Sequence, residues 1–326
     1  MKFRLRSIAV WALALGILPG MAHAVSCVSS AELSAADRAS LGAAASRLTQ
    51  AVFNQDNTTL QAALLPAEAD AWTGIHTAVE QSGDLLKNGR PKLRSLYLLD
   101  ATSLTAAADT QFFCSNQSGS ITVTMNMQAL PPGRYAVLLA DAEGAPLAGQ
   151  LGMILAWDGS AWKLGGLSLR QGSFDGHDGV WYWSHARSLA ALDGWSAWYL
   201  YEAARSLLLP IDFLSSPNLD KLHQEQAQIP NGPQAAFPYA IQDGDRTWKI
   251  DSVLFDGTLR QPDLAVVYES TGVTDPSAQR TEAQTVLSAF LKAQPGLRQN
   301  FHGLWAIASS KGKQTPIMAL EMKQIP

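Results

Sequence analysis

Two carboxylates and an imidazole lie within four consecutive residues, Asp175-Gly176-His177-Asp178. Such side chains bind divalent metals, but calcium loops spread their oxygen ligands over about 12 residues and end in a glutamate, and zinc sites add further His or Cys ligands. Neither pattern continues along this chain. We therefore predict no metal site, and we interpret Asp178 as the N-cap of a following helix, with Gly176 and Gly179 shaping the turn.

Other residue types that carry catalysis occur in isolation. Ser310 and Lys313 have the S-x-x-K spacing of penicillin-recognising enzymes, in which the motif begins a helix, whereas the sequence here favours a hairpin turn. His302 lies in a predicted strand and could face a pocket, although a single strand histidine more often has a structural role. The sequence has no G-x-S-x-G, H-E-x-x-H, phosphate-loop or dinucleotide-binding motif. We therefore assign no catalytic residue and no cofactor.

Aromatic residues are densest between Asp178 and Pro210, which reads DGVWYWSHARSLAALDGWSAWYLYEAARSLLLP. Asp193-Gly194 divides this stretch into two helices, and the second is apolar nearly all round, which predicts burial on both sides. We interpret the pair as a helical hairpin clamped between two domains. The aromatic side chains could alternatively form a ligand platform, although their helical spacing favours a core role. The candidate binding residues are Tyr97, Trp181, Trp183, His185 and Tyr199.

The same hairpin resembles a single tetratricopeptide unit between Trp181 and Pro210. The aromatic and small residues Trp181, Ala197, Tyr201 and Ala204 sit at offsets similar to those of that family. His185 stands where the family has glycine, and Ser188 stands where it has an aromatic residue. Because a solenoid needs about three units to bury its faces, we expect one repeat-like hairpin and not a peptide-binding array.

The chain before this hairpin changes its apolar period from that of helices to that of strands. Helical spacing extends from about Leu41 to Leu86, and alternating patterns follow up to Arg170. The last predicted hairpin turns at Asp158-Gly159. In its second strand the alternation of apolar and other residues shifts by one position at Gly165-Gly166. A β-bulge at these glycines would keep the apolar side chains on one face of the sheet.

Helices followed by a curved antiparallel sheet that ends in a W-DG-x-x-W hairpin resemble the cone-shaped α+β fold of the nuclear-transport-factor-like superfamily, over about Ser40 to Arg170. That superfamily contains both enzymes and non-catalytic modules. Its enzymes place an Asp and a His or Tyr inside the cone, and the residues of those types in this chain are Asp100, Tyr97 and His76.

The C-terminal part predicts a small α+β unit of two strands, a helix and two strands. Its helix begins at Asp275-Pro276 and ends at Pro295-Gly296. The fold class is therefore α+β, with helices and a curved antiparallel sheet, then a helical hairpin clamp, then the small α+β domain. We predict a signal peptide over 1–24, a cone-like domain over 25–175, a hairpin connector over 176–229 and a C-terminal domain over 230–326.

The N-terminus predicts export. Basic residues precede the apolar run Ile8 to Leu18, and small residues precede Val25, as in a cleaved secretory signal. The mature chain then holds Cys27 and Cys114, which we expect to form a disulfide, because exported proteins with an even cysteine count usually pair them. The alternative is a lipoprotein anchored at Cys27. Lipidation would leave Cys114 unpaired, so the two hypotheses exclude each other.

Charge and composition exclude some classes of function. Removal of Lys2, Arg4 and Arg6 with the signal changes the formal net charge from −4 to −7, which argues against a nucleic-acid partner. Charged residues make up 16% and hydrophobic residues 47% of the chain, as in a well-packed globular protein. No segment of the mature chain is long and apolar enough to span a membrane. We expect a soluble protein of the periplasm or the extracellular space.

These observations favour an exported, non-enzymatic binding or scaffold module whose partner is a component of the cell envelope or another protein. The alternative is an unrecognised hydrolase or isomerase that uses a pocket in the first domain, with Tyr97, Asp100 or His76 as acid and base. A third hypothesis is a structural assembly subunit with a large apolar interface.

Overall fold

The structure is a computed structural model that describes residues 25–115 and 119–326. These residues form a mixed α+β protein, which confirms the predicted fold class. The predicted signal peptide lies outside the described residues. Among the described helices, none combines the length and the apolarity that crossing a membrane requires.

The first half of the chain contains helices followed by antiparallel strands. Its elements are β1 (Ser26–Ser29), α1 (Ala35–Phe53), α2 (Asn57–Ala63), α3 (Trp72–Gln81), α4 (Gly83–Leu86), β2 (Arg90–Asp100), β3 (Ala108–Ser115), β4 (Ile121–Leu130), β5 (Arg134–Glu143), β6 (Gly149–Trp157) and β7 (Trp162–Gln171).

The second half contains the helical hairpin and a second large sheet. Its elements are β8 (Ser173–Phe174), β9 (His177–Asp178), α5 (Gly179–Leu189), α6 (Gly194–Leu208), β10 (Leu214–Ser215), α7 (Pro217–Ala227), β11 (Tyr239–Asp243), β12 (Arg246–Asp256), β13 (Asp263–Glu269), α8 (Pro276–Ala293), α9 (Leu297–Asn300), β14 (Gly303–Ser310) and β15 (Lys313–Glu321).

The first large sheet has the strand order β1-β2-β5-β6-β7 and is covered on both faces. Side chains alternate between the faces of a strand, so Leu96 and Leu98 of β2 pack against the helices α1 to α3. Tyr97 and Leu99 point to the other face and pack against the three-stranded sheet β10-β4-β3. The first half therefore has two apolar cores, one on each face of β2.

A disulfide joins Cys27 of β1 to Cys114 of β3, which confirms the predicted pairing. Cys114 is buried among the apolar residues between the two sheets. The bond links chain positions 87 residues apart and fixes the first strand to the smaller sheet. Because Cys27 is oxidised, this structure leaves no thiol for a lipid at that position.

The predicted bulge is confirmed in the β6–β7 hairpin. Ile154 pairs with Gly166 and Leu155 pairs with Leu164, so Gly165 is the extra residue in β7. The bulge restores the alternation, and Trp162 and Leu164 point into the core beneath the helices.

The second large sheet has the order β11-β12-β13-β14-β15, and α8 connects the parallel neighbours β13 and β14. This arrangement contains the predicted two strands, helix and two strands, with β11 added at the edge. Trp248 and Phe290 belong to a buried apolar cluster that also includes Tyr182 of α5 and Leu200 of α6. The hairpin and the second sheet thus share one core. The domain boundaries stay a prediction.

Candidate ligand-binding cleft

A tight turn places the first side chains of the cleft. Asp175 and Gly176 adopt positive φ angles of 48° and 76° between the short strands β8 and β9. The side chain of Asp178 then accepts a hydrogen bond of 2.8 Å from the backbone N–H of Trp181, which confirms its predicted role as the N-cap of α5. The cap and the turn together bring His177 beside the first turn of the helix.

Three rings form a column along α5. The imidazole of His177 stacks on the indole of Trp181, with centroids 3.8 Å apart and planes 11° from parallel. His185 lies one turn further along, with its ring centroid 5.0 Å from that of Trp181. Trp181 and His185 are four residues apart on the helix and are therefore neighbours on its surface, whereas His177 is placed by the turn that precedes the helix. The indole of Trp181 remains 40% exposed.

The opposite wall comes from α9 and the residues that follow it. The side-chain N–H of Asn300 donates to the carbonyl of Gly296 at 2.9 Å, so its Oδ1 is left as an acceptor. That oxygen lies 2.9 Å from Nε2 of His185. Nε2 must therefore be the protonated nitrogen of a neutral His185. This tautomer leaves Nδ1 as an acceptor.

The imidazole of His302 is oriented by a buried carboxylate. Its Nδ1 lies 3.0 Å from Oδ1 of Asp263, and the indole N–H of Trp305 donates to the other carboxylate oxygen at 3.2 Å. Asp263 is only 5% exposed, and a buried carboxylate requires donors on both oxygens. Nδ1 of His302 therefore donates to Asp263, which leaves Nε2 as an acceptor in the neutral ring.

The cleft between these walls has a volume of about 270 Å³. Its lining includes Asp175, the three imidazoles and the amides of Gln299 and Asn300, and it contains neither Lys nor Arg. Tyr182 also lines it, but its hydroxyl donates to the carbonyl of Phe174, and burial raises the pKa of this phenol well above its usual value. Apart from the carboxylate of Asp175, the polar side chains that line the cleft are imidazoles, amides and this phenol.

Two of the five predicted binding residues, Trp181 and His185, lie in this cleft. Trp183 points away from it and donates its indole N–H to Glu225 of α7 at 2.8 Å. Tyr199 is 2% exposed, and its hydroxyl donates to the carbonyl of Val253. Tyr97 is buried between the two sheets of the first half. As placed, Trp183, Tyr199 and Tyr97 belong to the packing of the fold.

The three residues suggested by the cone-like resemblance do not meet. Tyr97 and Asp100 are three residues apart on β2 and so lie on opposite faces of the sheet. Asp100 accepts hydrogen bonds from the backbone N–H and hydroxyl of Thr102, as a local turn. His76 lies on α3, where it pairs with Glu80 at 3.4 Å. We find no common pocket for these side chains.

The cleft residues that sequence reasoning did not select include His177 as a ring partner of Trp181, Gln299 and Asn300, and His302 was interpreted as structural although a pocket position was considered. The four-residue spacing of His177, Trp181 and His185 was a signal that could have identified the column. Asn300 and His302 carried no local signal, because their partners His185 and Asp263 lie 115 and 39 residues away in sequence.

No set of three or more His, Cys, Asp or Glu side chains within residues 25–115 and 119–326 has an arrangement that could hold a metal ion. The chain has no significant match among protein-family models, among curated proteins or among solved structures.

Proposed function

We propose that this chain is an exported binding protein of the cell envelope whose cleft at α5 recognises a neutral, hydroxyl-rich ligand, namely a carbohydrate. The observation that carries the proposal is the exposed indole of Trp181 in a cleft of about 270 Å³. His177 covers one face of this indole, so the apolar contact to the C–H groups of a sugar ring comes from the part of the indole that stays exposed at the wall of the cleft.

The polar groups of the cleft match this ligand class. A sugar hydroxyl both donates and accepts, and the imidazoles and amides at the cleft together supply both kinds of group. Nε2 of His302 and Nδ1 of His185 are acceptors, whereas the side-chain amide of Gln299 donates as well as accepts. The lining lacks Lys and Arg, the usual partners of phosphate and carboxylate ligands. A neutral polyol therefore fits better than an anion.

The oxidised pair Cys27 and Cys114 supports the proposed location. Structural disulfides persist in the periplasm and outside the cell and are rare in the cytosol. The basic and apolar N-terminal sequence before Val25 is consistent with the same destination.

The test is isothermal titration calorimetry of the mature chain with chitotetraose, cellotetraose and maltotetraose, after a thermal-shift screen with the same sugars. We expect one of them to bind with a stoichiometry of one, and we expect Trp181→Ala to weaken its binding at least tenfold. Val180→Ala is the matched control, because Val180 is exposed on the same turn of α5 and lies outside the cleft. Equal affinities of the two variants, or no binding of any neutral oligosaccharide, would refute the proposal.

One second function is favoured by the pair His302 and Asp263. An imidazole held by a buried carboxylate, with a free Nε2, can act as a general base. In this hypothesis Nε2 takes a proton from water as the water oxygen attacks the acyl carbon of an O-acetylated sugar. The bond from that carbon to the sugar oxygen then breaks, the imidazolium returns the proton to the sugar oxygen, and acetic acid and the free sugar hydroxyl are released. Acetate release from an acetylated oligosaccharide, abolished in His302→Gln with sugar binding retained, would support this activity; no release above the uncatalysed rate would exclude it.

A further inference from the structure

We propose a second binding site, in the groove between β4, β10 and the helices α6 and α7, for an amphipathic anion with a single apolar chain. The groove has a volume of about 760 Å³, within the range typical of small-molecule sites. It shares no lining residue with the cleft at α5. The inference is therefore independent of the proposed carbohydrate function.

The floor of the groove is apolar and held in place. Met127, Leu209, Phe213 and Leu214 line it. The segment that carries Phe213 is fixed to β4 by a hydrogen bond of 2.8 Å from the N–H of Asn126 to the carbonyl of Phe213, and by the pairing of β10 with β4. A preformed apolar floor accepts an alkyl chain without the cost of ordering a loop.

The charged side chains at the rim of the groove differ in whether another side chain already binds them. Asp212 pairs with Arg170 at 2.6 Å. Asp220 accepts a hydrogen bond of 2.6 Å from the hydroxyl of Ser215 and lies in the first turn of α7, where a helix favours negative charge.

Arg205, in the last turn of α6, also lines the groove. Within the described residues its guanidinium has no hydrogen-bond or ion-pair partner.

This arrangement points to a negatively charged head group at Arg205. A guanidinium offers several N–H donors to a carboxylate or a phosphate, while the apolar part of the ligand covers the floor. A cationic amphiphile would instead leave Arg205 unpaired and place two like charges close together. The ligand is thus an alkyl chain with an anionic head group, which is either a carboxylate or a phosphate.

The experiment is calorimetric titration of the mature chain with decanoate, decyl phosphate, decyltrimethylammonium and butyrate below their micelle-forming concentrations. We expect saturable binding of decanoate or decyl phosphate, and the stronger of the two identifies the head group. We expect at least tenfold weaker binding of the cationic amphiphile and no measurable binding of butyrate, which lacks the apolar chain. Equal binding of the anionic and cationic amphiphiles, or no saturable binding of either anion, would overturn the proposal.

Three single variants test whether the anion binds in this groove. Arg205→Gln should weaken binding of the anion at least tenfold, whereas Arg280→Gln, an exposed arginine on α8, should leave it unchanged. Thermal melts of both variants check that each is folded. Trp181→Ala should bind the anion as the wild type does, which separates this site from the cleft at α5. An unaltered affinity in folded Arg205→Gln would contradict the assignment.

Discussion

Arg187 of α5 and Glu225 of α7 form a two-pronged ion pair, with Nε and Nη2 of the arginine donating to the two carboxylate oxygens at 2.7 and 2.8 Å. The indole N–H of Trp183 and the hydroxyl of Tyr201 donate to the same carboxylate. Glu225 therefore ties α5 and α6 to α7. Because Trp181 and His185 lie on α5, this pair helps to hold one wall of the proposed binding cleft.

Glu225→Gln should lower the free energy of unfolding by about 2–3 kcal/mol, because it replaces hydrogen bonds to a charged acceptor by weaker neutral ones and leaves Arg187 without its counter-ion. Chemical denaturation measures the change. Glu269→Gln is the matched control, since it removes an exposed ion pair with Lys249 and should cost less than about 1 kcal/mol. Similar losses in the two variants would show that Glu225 contributes no more than a surface charge.

Stability should also depend on pH through Glu225. The hydrogen bonds from Arg187, and then those from Trp183 and Tyr201, lower the pKa of Glu225 from its ordinary value of 4.5 to about 2. A lowered pKa in the folded state stabilises the fold above pH 4.5, and this contribution is lost as the pH falls towards 2.

The difference in unfolding free energy between wild type and Glu225→Gln should therefore be largest at neutral pH and should shrink on acidification. Denaturation curves of both proteins over this pH range provide the comparison. A difference that stays constant with pH would contradict the assigned role of the carboxylate.

Removal of the disulfide by the double change Cys27→Ser and Cys114→Ser should destabilise the protein by about 2–5 kcal/mol, because the unfolded chain is freed from a long closed loop. Differential scanning calorimetry of the variant and of the reduced wild type should give the same loss. The cleft at α5 contains neither cysteine, so carbohydrate affinity should be retained in the folded variant. An unchanged melting temperature would show that the bond does not stabilise the fold.

Asp178→Ala should cost about 1 kcal/mol of stability through loss of the N-cap of α5, and it should also weaken carbohydrate binding, since the cap fixes the backbone at Trp181. Asp193→Ala is the matched control, because Asp193 caps α6 through the N–H of Ser196 and lies outside the cleft. Calorimetry compares the carbohydrate affinities of these two cap variants, which should lose similar amounts of stability. Equal affinities would show that the cap does not position the binding residues.

Local features of the fold could be predicted from the sequence, because each depends on neighbouring residues. The cap at Asp178, the bulge at Gly165 and the helix that begins after Asp275 all follow from short patterns, and the structure contains each of them. The edge strand β11 was missed. It is short and ends in the polar residues Gln242 and Asp243, so its alternation is weak, and its place in the sheet depends on pairing with β12.

The cleft could be predicted only in part. Trp181 and His185 stand out because aromatic residues are dense along α5, but the same density also suggested Trp183 and Tyr199, whose polar atoms bond to Glu225 and to the carbonyl of Val253. Which aromatic side chain faces solvent is decided by packing against distant elements. The sequence left His302 between a pocket position and a structural role, and its place beside Asp263 and opposite α5 depends on the fold.

The most direct measurement is an NMR titration of the isotope-labelled mature chain with the oligosaccharide that binds in calorimetry, observed at the indole N–H signal of Trp181. The indole N–H signal that is missing from the spectrum of Trp181→Phe is thereby assigned to Trp181. We predict that this signal shifts and saturates with the calorimetric dissociation constant, while the indole signal of the buried Trp248 stays in place. A ligand that shifts other signals and leaves that of Trp181 unchanged would contradict carbohydrate recognition at this cleft.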